Sequence, residues 1–332
     1  VDIILNLQER WDDMKDNFER EITYLRVSVT DRCNLRCKYC MPPGGIEKKD
    51  HEDLISLEDI YRIIKESTRL GIKKIRFTGG EPLVRLGLHK LIKDVSQLEG
   101  IKEITMTTNG VLLTKYIKEL KEAGLNRVNI SLDTLRADRY KDITRGGDIN
   151  KVIEGIKAAQ KYDMKPIKIN AVLMKGFNDD EIEDFAKLTI DKDIIIRFIE
   201  LMPFGERYSW TKDKYLSNSR VLEKVKNLEE INYDKGSPSR YYKIKGAKGK
   251  IGLINPISRH FCNTCNRIRL TADGNIKPCL HSDLEIDMKK YLGSEEEIYK
   301  GLIEAVKSKP SQHHINEEGY DPIKRDMNRI GG

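Results

Sequence analysis

Residues 31–45, DRCNLRCKYCMPPGG, place Cys33, Cys37 and Cys40 in a C-x-x-x-C-x-x-C array. Cysteines this close together suit a soft metal, for which thiolate is a preferred donor. A structural zinc ion takes four ligands, usually two C-x-x-C pairs or cysteines with histidines. No properly spaced fourth partner follows: His51 lies eleven residues on, beyond two prolines and two glycines. An iron–sulfur cluster also normally takes four thiolates. A cube held by three leaves one iron open, so a small molecule can bind the metal directly.

A second triplet lies in FCNTCNRIRLTADGNIKPCL (261–280), where Cys262 and Cys265 form C-x-x-C and Cys279 follows thirteen intervening residues later. ADGN reads as a tight hairpin turn at Asp273-Gly274 that folds Cys279 back toward the pair. Two readings stay open here: a zinc ribbon completed by His260 or His281, and a second cluster with an open iron. Arg267 and Arg269, two apart in this hairpin, point to one face, and the guanidinium fork suits carboxylate or phosphate oxygens.

These two triplets use all six cysteines. A disulfide framework would spread cysteines through a small secreted chain. With 39% hydrophobic and 34% charged residues, the composition is that of a soluble globular protein. No apolar run approaches the roughly 18–20 residues of a spanning helix, and the first twenty residues lack the features of a secretory signal. A cytoplasmic location is expected. The formal charge of +7 fits an anionic partner such as a nucleotide, a nucleic acid or a membrane surface, but charge alone favours an ordinary lysine-rich surface.

Six β-branched runs would position these groups: 24–30, 72–79, 103–109, 127–133, 166–174 and 194–202, with amphipathic stretches at 57–70, 111–123, 150–162 and 179–189 between them. Strands alternating with helices predict βα units and a parallel sheet. Period two puts Arg26, Ser28 and Thr30 on one face of the first run, Arg76 and Thr78 on one face of the second, and Thr105, Thr107 and Asn109 on one face of the third. The fourth aligns Asn129, Ser131 and Asp133, and the fifth aligns Lys168 with Asn170. A full barrel fills its interior with Val, Ile and Leu. A repeatedly polar, cationic face must instead line a wet cavity. The expected fold is α/β, a partial (βα)6 TIM-like barrel with a smaller C-terminal α+β domain carrying the second cluster. The expected division is 1–215 for the barrel, 216–308 for the auxiliary-cluster domain and 309–332 for a tail. A helix near 217–229, strands near 241–246 and 250–254, and helical segments over 285–308 are expected beyond the barrel.

The CxxxCxxC loop after the first strand, with Tyr39 before its last cysteine, resembles the radical S-adenosylmethionine superfamily. TGGEP (78–82) is similar to that superfamily's glycine-rich motif for the methionine end of the cofactor. The two triplets, the CNRIRL hairpin and the terminal Gly331-Gly332 together resemble the GTP 3′,8-cyclase family of molybdenum-cofactor biosynthesis, from Arg26 to Gly332. The resemblance implies two 4Fe-4S clusters, one on Cys33, Cys37 and Cys40 that binds S-adenosyl-L-methionine, the other on Cys262, Cys265 and Cys279 that binds GTP. Tyr39, Gly80, Ser131, Met202 and Arg197 fall at cofactor-binding positions. Arg26, Arg76, Thr107, Lys168, Arg267 and Arg269 fall at substrate-binding ones. Arg267, Arg269, Gly331 and Gly332 match the catalytic set. The implied chemistry is abstraction of H3′ of GTP by a 5′-deoxyadenosyl radical and addition of C3′ to guanine C8. A reductant of unknown identity, a downstream cyclic pyranopterin monophosphate synthase and a homodimer are the implied partners; neither nucleic acid nor membrane is.

Two competing readings follow from the same residues. A radical enzyme modifying a peptide usually carries more auxiliary cysteines than this. A zinc- or cluster-bearing nucleic-acid-binding protein predicts a basic stripe with interleaved aromatics, whereas aromatics are 7% here and no such stripe occurs.

Overall fold

The computed structural model describes residues 15–45, 53–205, 208–231, 236–318, 320 and 322–331. Its centre is six parallel strands that pair in chain order: β1 (Tyr24–Ser28), β2 (Lys74–Thr78), β3 (Glu103–Thr108), β4 (Arg127–Ser131), β5 (Ile167–Leu173) and β6 (Ile194–Glu200). Between them run α1 (Leu57–Arg69), α2 (Leu88–Ser96), α3 (Leu113–Glu122), α4 (Ala137–Ile143), α5 (Ile149–Lys161) and α6 (Ile182–Asp191). Ser56 starts α1 by accepting the Asp59 N–H at 2.9 Å, a cap worth about 1 kcal/mol. The apolar stripe of α1, Ile60, Ile63 and Ile64, joins Leu25, Val27, Ile75 and Phe77 in one continuous core. The partial (βα)6 barrel expected from the strand rhythm is present.

The remaining strands extend both edges of this array. On one side β9 (Lys250–Ile254) runs parallel to β6, followed outward by antiparallel β8 (Ser239–Ile244) and β7 (Leu228–Ile231). On the other, β10 (Arg267–Leu270) runs parallel to β1, with antiparallel β11 (Asn275–Lys277) and β12 (Ile286–Asp287) beyond it. Pairing of this kind covers the edges that an open six-stranded sheet would expose. The helix expected over 217–229 is shorter, Ser219–Lys224. Val225 leaves helical geometry and Asn227 adopts φ +58°, a left-handed conformation asparagine tolerates, so the chain turns into β7. The stretch expected as helical over 285–308 begins with β12 and a 3₁₀ turn at Met288–Tyr291, and only Glu295–Lys307 forms an α-helix.

Register turns the polar positions into rows. Arg26 lies between Arg269 and Arg76, Arg76 beside Thr105, Asn129 beside Lys168, and Asn170 beside Arg197. In-register parallel pairing keeps such neighbours on one face.

Candidate functional site

A cavity of about 760 Å³ lies against the polar face, and both cysteine triplets line it. This volume is within the range of small-molecule sites. All six cysteines are free and half-buried. The first triplet sits in the loop after β1, curled by Cys40 and Met41 N–H groups donating to the Cys37 carbonyl (3.0 and 3.1 Å). Leu35 N–H reaches Cys33 Sγ at 3.4 Å and Asn109 Nδ2 reaches it at 3.8 Å. The Asn328 N–H faces Cys40. Burial pushes the Cys33 thiol up to about 11 and those of Cys37 and Cys40 well above their ordinary value. A coordinating metal ion reverses that preference and holds such sulfurs as thiolates.

The β10–β11 hairpin brings Cys279 back toward Cys262 and Cys265, as its turn residues require. Lys309, 3% exposed, ties the two arms by donating to the Arg267 carbonyl at 2.9 Å and the Pro278 carbonyl at 2.7 Å. Although burial raises the Cys265 thiol, Arg267 and Lys309 pull it down to about 7. Among the described residues, one group brings three His, Cys or carboxylate ligand atoms within 4.8 Å of one another, and it is His260, Cys262 and His313. Neither cysteine triplet is such a group. His281 is turned elsewhere: its Nε2 meets Met202 Sδ at 3.2 Å and its ring stacks on Phe204, centroids 4.7 Å apart.

Between the triplets the wall is cationic. Arg26, Arg76, Lys168, Arg197, Arg267 and Arg269 all line the cavity, joined by Lys74 and Arg127. Glu103 offsets the last two: although burial raises it, they hold its carboxyl down to about 2. Burial and the neighbouring guanidiniums depress Arg197 and Arg269 to about 10. Lys168 falls to about 6, first through burial and then through Arg197, Arg127 and Arg76. Thr107 Oγ1 and Arg267 Nε are buried without hydrogen-bond partners. Cations so crowded, with donors in reserve, suit a polyanion.

At the first triplet, Tyr39 donates to Asp133 Oδ2 at 2.8 Å, and Val172 N–H holds Oδ1 at 2.9 Å. Gly80 packs flat on the preceding loop: a Cβ there would stand 2.5 Å from the Arg32 carbonyl oxygen and 2.6 Å from that of Asp31. Ser131 and Met202 line the same end. Beneath TGGEP, buried Glu81 accepts from Thr108 Oγ1 (2.8 Å), Asn109 N (2.7 Å) and Leu83 N (3.1 Å). Glu81→Gln puts an amide N–H against one of these donors. It is expected to lower unfolding free energy by about 1–3 kcal/mol, the cost of an unsatisfied buried donor, as read from urea unfolding midpoints. An unchanged midpoint would mean the loop does not depend on this carboxylate.

The tail is ordered by distant contacts. The short helix Met327–Ile330 buries Ile330 against Phe204 and Ile323. Asn328 Nδ2 donates to the Asp31 carbonyl at 3.3 Å, and Arg269 Nη1 donates to the Gly331 carbonyl at 3.0 Å. Gly331 therefore lies beside Ser28 and Thr78; Gly332 lies outside the described residues. The expected site residues from Arg26 to Arg269 meet around one cavity. Lys74, Arg127, Lys309 and Asn328 escaped the sequence reading. Lys74 shares a strand face with Arg76 and was detectable by period two. Lys309 and Asn328 act across the fold and carry no local signal.

Known proteins resemble this chain over nearly its whole length. The model of the radical SAM superfamily matches residues 27–189, and that of Molybdenum Cofactor Synthesis C matches residues 194–315. A protein named GTP 3′,8-cyclase from Alkaliphilus oremlandii is 52% identical over 320 residues, covering 96% of this chain and 100% of its own. Its namesake from Peptoclostridium acidaminophilum is 54% identical, with 96% and 98% covered, and that from Petrotoga mobilis is 49% identical, with 96% and 100% covered. Among solved structures, Streptococcus suis SuiB bound to S-adenosylmethionine superimposes with a TM-score of 0.60 at 18% identity, over 83% of this chain and 64% of that one. That likeness is one of fold.

Proposed function

The chain belongs to the GTP 3′,8-cyclase family within the radical SAM superfamily, and from that premise we propose how its residues divide the work. It is a radical SAM lyase that converts GTP into 3′,8-cyclo-7,8-dihydro-GTP, the first step of molybdenum cofactor biosynthesis, with two 4Fe-4S clusters and S-adenosyl-L-methionine as cofactors. The observation that carries the division of roles is that both triplets and the cationic strand face open into one cavity.

Cys33, Cys37 and Cys40 hold the first cluster, and Cys262, Cys265 and Cys279 the second. When bound, the first cluster and S-adenosylmethionine supply the one-electron chemistry that yields a 5′-deoxyadenosyl radical. Gly80 gives the cofactor close access to backbone, and Tyr39, fixed by Asp133, borders it together with Ser131, Met202 and Arg197. Arg26, Arg76 and Lys168 take the triphosphate, with Thr107 as a further donor. Arg267 and Arg269 hold GTP beside the second cluster. The strand register keeps these anchors rigid, which is what holding ribose C3′ and guanine C8 in bonding range demands. Gly331, whose carbonyl Arg269 holds, is assigned to closing the cavity against water, and Gly332 is assigned a catalytic part with it.

The roles divide as 1–215 for the radical chemistry, 216–308 for the second cluster and 309–332 for the closing tail. A cytoplasmic enzyme fed by a separate reductant, acting as a homodimer and passing its product to a cyclic pyranopterin monophosphate synthase, is the setting we propose. Among the described residues no helix is long and apolar enough to cross a membrane.

Anaerobic reconstitution with iron and sulfide, followed by dithionite, S-adenosylmethionine and GTP, tests the assignment. About eight irons per chain are expected, from two four-iron clusters, with 5′-deoxyadenosine and a cyclised dihydro-GTP formed together. Cys279→Ser should retain the first cluster and lose the cyclised product. Deoxyadenosine formed at one slow rate with or without GTP would overturn the substrate assignment.

A further inference from the structure

We propose that His260, Cys262 and His313 form a mononuclear site for a divalent cation, zinc above all, which the chain can fill before its second cluster is built. Their ligand atoms lie within 4.8 Å of one another, the compactness one tetrahedral ion imposes. Two imidazoles and a thiolate are the nitrogen and sulfur donors zinc prefers, with a fourth position left for water.

A second observation points to a ligand. His313 is 7% exposed, and its Nδ1 is buried with no hydrogen-bond partner. A buried polar nitrogen in that state costs stability until something pairs with it. The His260 and His313 rings are already gathered, centroids 4.3 Å apart. Asn316 orients His260: its Nδ2 donates to the Ile257 carbonyl at 2.8 Å and meets His260 Nε2 at 3.2 Å. Cys262 also lines a second, outer cavity of about 390 Å³ together with His260, Arg20 and Gln312. An ion can thus reach two of the three ligands from outside, while His313 faces the inner cavity.

Cys262 cannot serve the ion and the second cluster at once, so the two are mutually exclusive. That exclusion rests on the cluster assignment above; binding of the ion does not.

The test uses the full-length chain stripped of iron and sulfide, with Cys33, Cys37 and Cys40 changed to serine to silence the first triplet, titrated anaerobically with Co²⁺ alone. One cobalt per chain with a thiolate-to-cobalt charge-transfer band is expected. Cys265→Ser with Cys279→Ser leaves the affinity unchanged. His313→Asn or His260→Asn weakens it by about 10- to 100-fold or more, at least the scale of losing a supporting partner. Thermal melts matching the parent chain show that these variants fold. Loss of the band in the double serine variant, with no effect of the histidine changes, would overturn the site by placing the ion in the triplet; so would no band at all. In the otherwise native chain, preloading with zinc before reconstitution should hold iron uptake to about four per chain, one cluster's worth, and His313→Asn should restore about eight. Full uptake by both chains overturns the exclusion, while the cobalt titration separately decides the site.

Discussion

Gly331→Ala is expected to lower formation of the cyclised product by about 100-fold while leaving the chain folded and S-adenosylmethionine cleavage detectable. Gly331 holds φ +78°, and a Cβ there would lie 2.5 Å from Thr78 Oγ1 and 2.8 Å from Ser28 Cβ. The left-handed backbone costs an L-residue about 1–2 kcal/mol, and overpacking a fitted site adds about 1–3 kcal/mol. The cost falls on the docked tail, because nothing in the barrel needs Gly331 in order to fold. Thr78 and Ser28 sit at the ends of β2 and β1, inside rigid strands that cannot yield cheaply. The tail therefore leaves, taking with it the Arg269 contact to the Gly331 carbonyl. The first cluster keeps its three cysteines, so deoxyadenosine should still form, uncoupled from product. The ratio of deoxyadenosine to cyclised GTP, with the melting temperature as control, checks this. A ratio matching the parent enzyme would show that the tail's glycine is not needed in this conformation.

The sequence made the barrel legible because its strands carry two independent periodic signals. Leu25, Val27 and Val29 alternate with Arg26, Ser28 and Thr30; the first set joins the core, Arg26 lines the cavity, and Ser28 and Thr30 are buried. The cysteine triplets were equally readable, since ligand spacing within a short loop is a local property. What the sequence hid is non-local. That β9 and β10 would pair with β6 and β1 is written in no window of residues. It follows from the open edges of the six-stranded array seeking partners. The tail shows the same limit: MNRIG has no local reason to be ordered, and Asn328, Ile330 and Gly331 meet residues some 60 to 300 positions away. His313 was missed likewise, because Cys262 lies 51 positions away (313 − 262) and nothing in the tail's own pattern announces the encounter.

GTP affinity should depend on pH through Lys168, and the sign can be worked out. In the ligand-free cavity its pKa stands at about 6, because burial and three nearby arginines disfavour the ammonium. Near pH 7.5 most of the chain therefore carries Lys168 neutral. A triphosphate brings the opposite charge into the same cavity and favours the ammonium, so binding takes up close to one proton. Each pH unit above the free-state pKa then weakens binding by up to about tenfold, the free-energy equivalent of one pKa unit. Measurement from pH 7 to 8.5 stays above the second phosphate ionisation, near about 6, so the ligand's own titration contributes little. Isothermal titration in two buffers of different ionisation heat should read proton uptake in the parent chain and none in Lys168→Met. The variant's affinity should be lower by about 10- to 100-fold at pH 7, the loss of a charge-assisted hydrogen bond of about 1.5–3 kcal/mol. The gap should narrow as pH rises, because the parent then spends progressively more on protonating Lys168. Lys168→Arg keeps a fixed charge and should bind without the pH slope. Equal proton uptake by the parent and the Met variant would move the titration to another group and remove Lys168 from the triphosphate site.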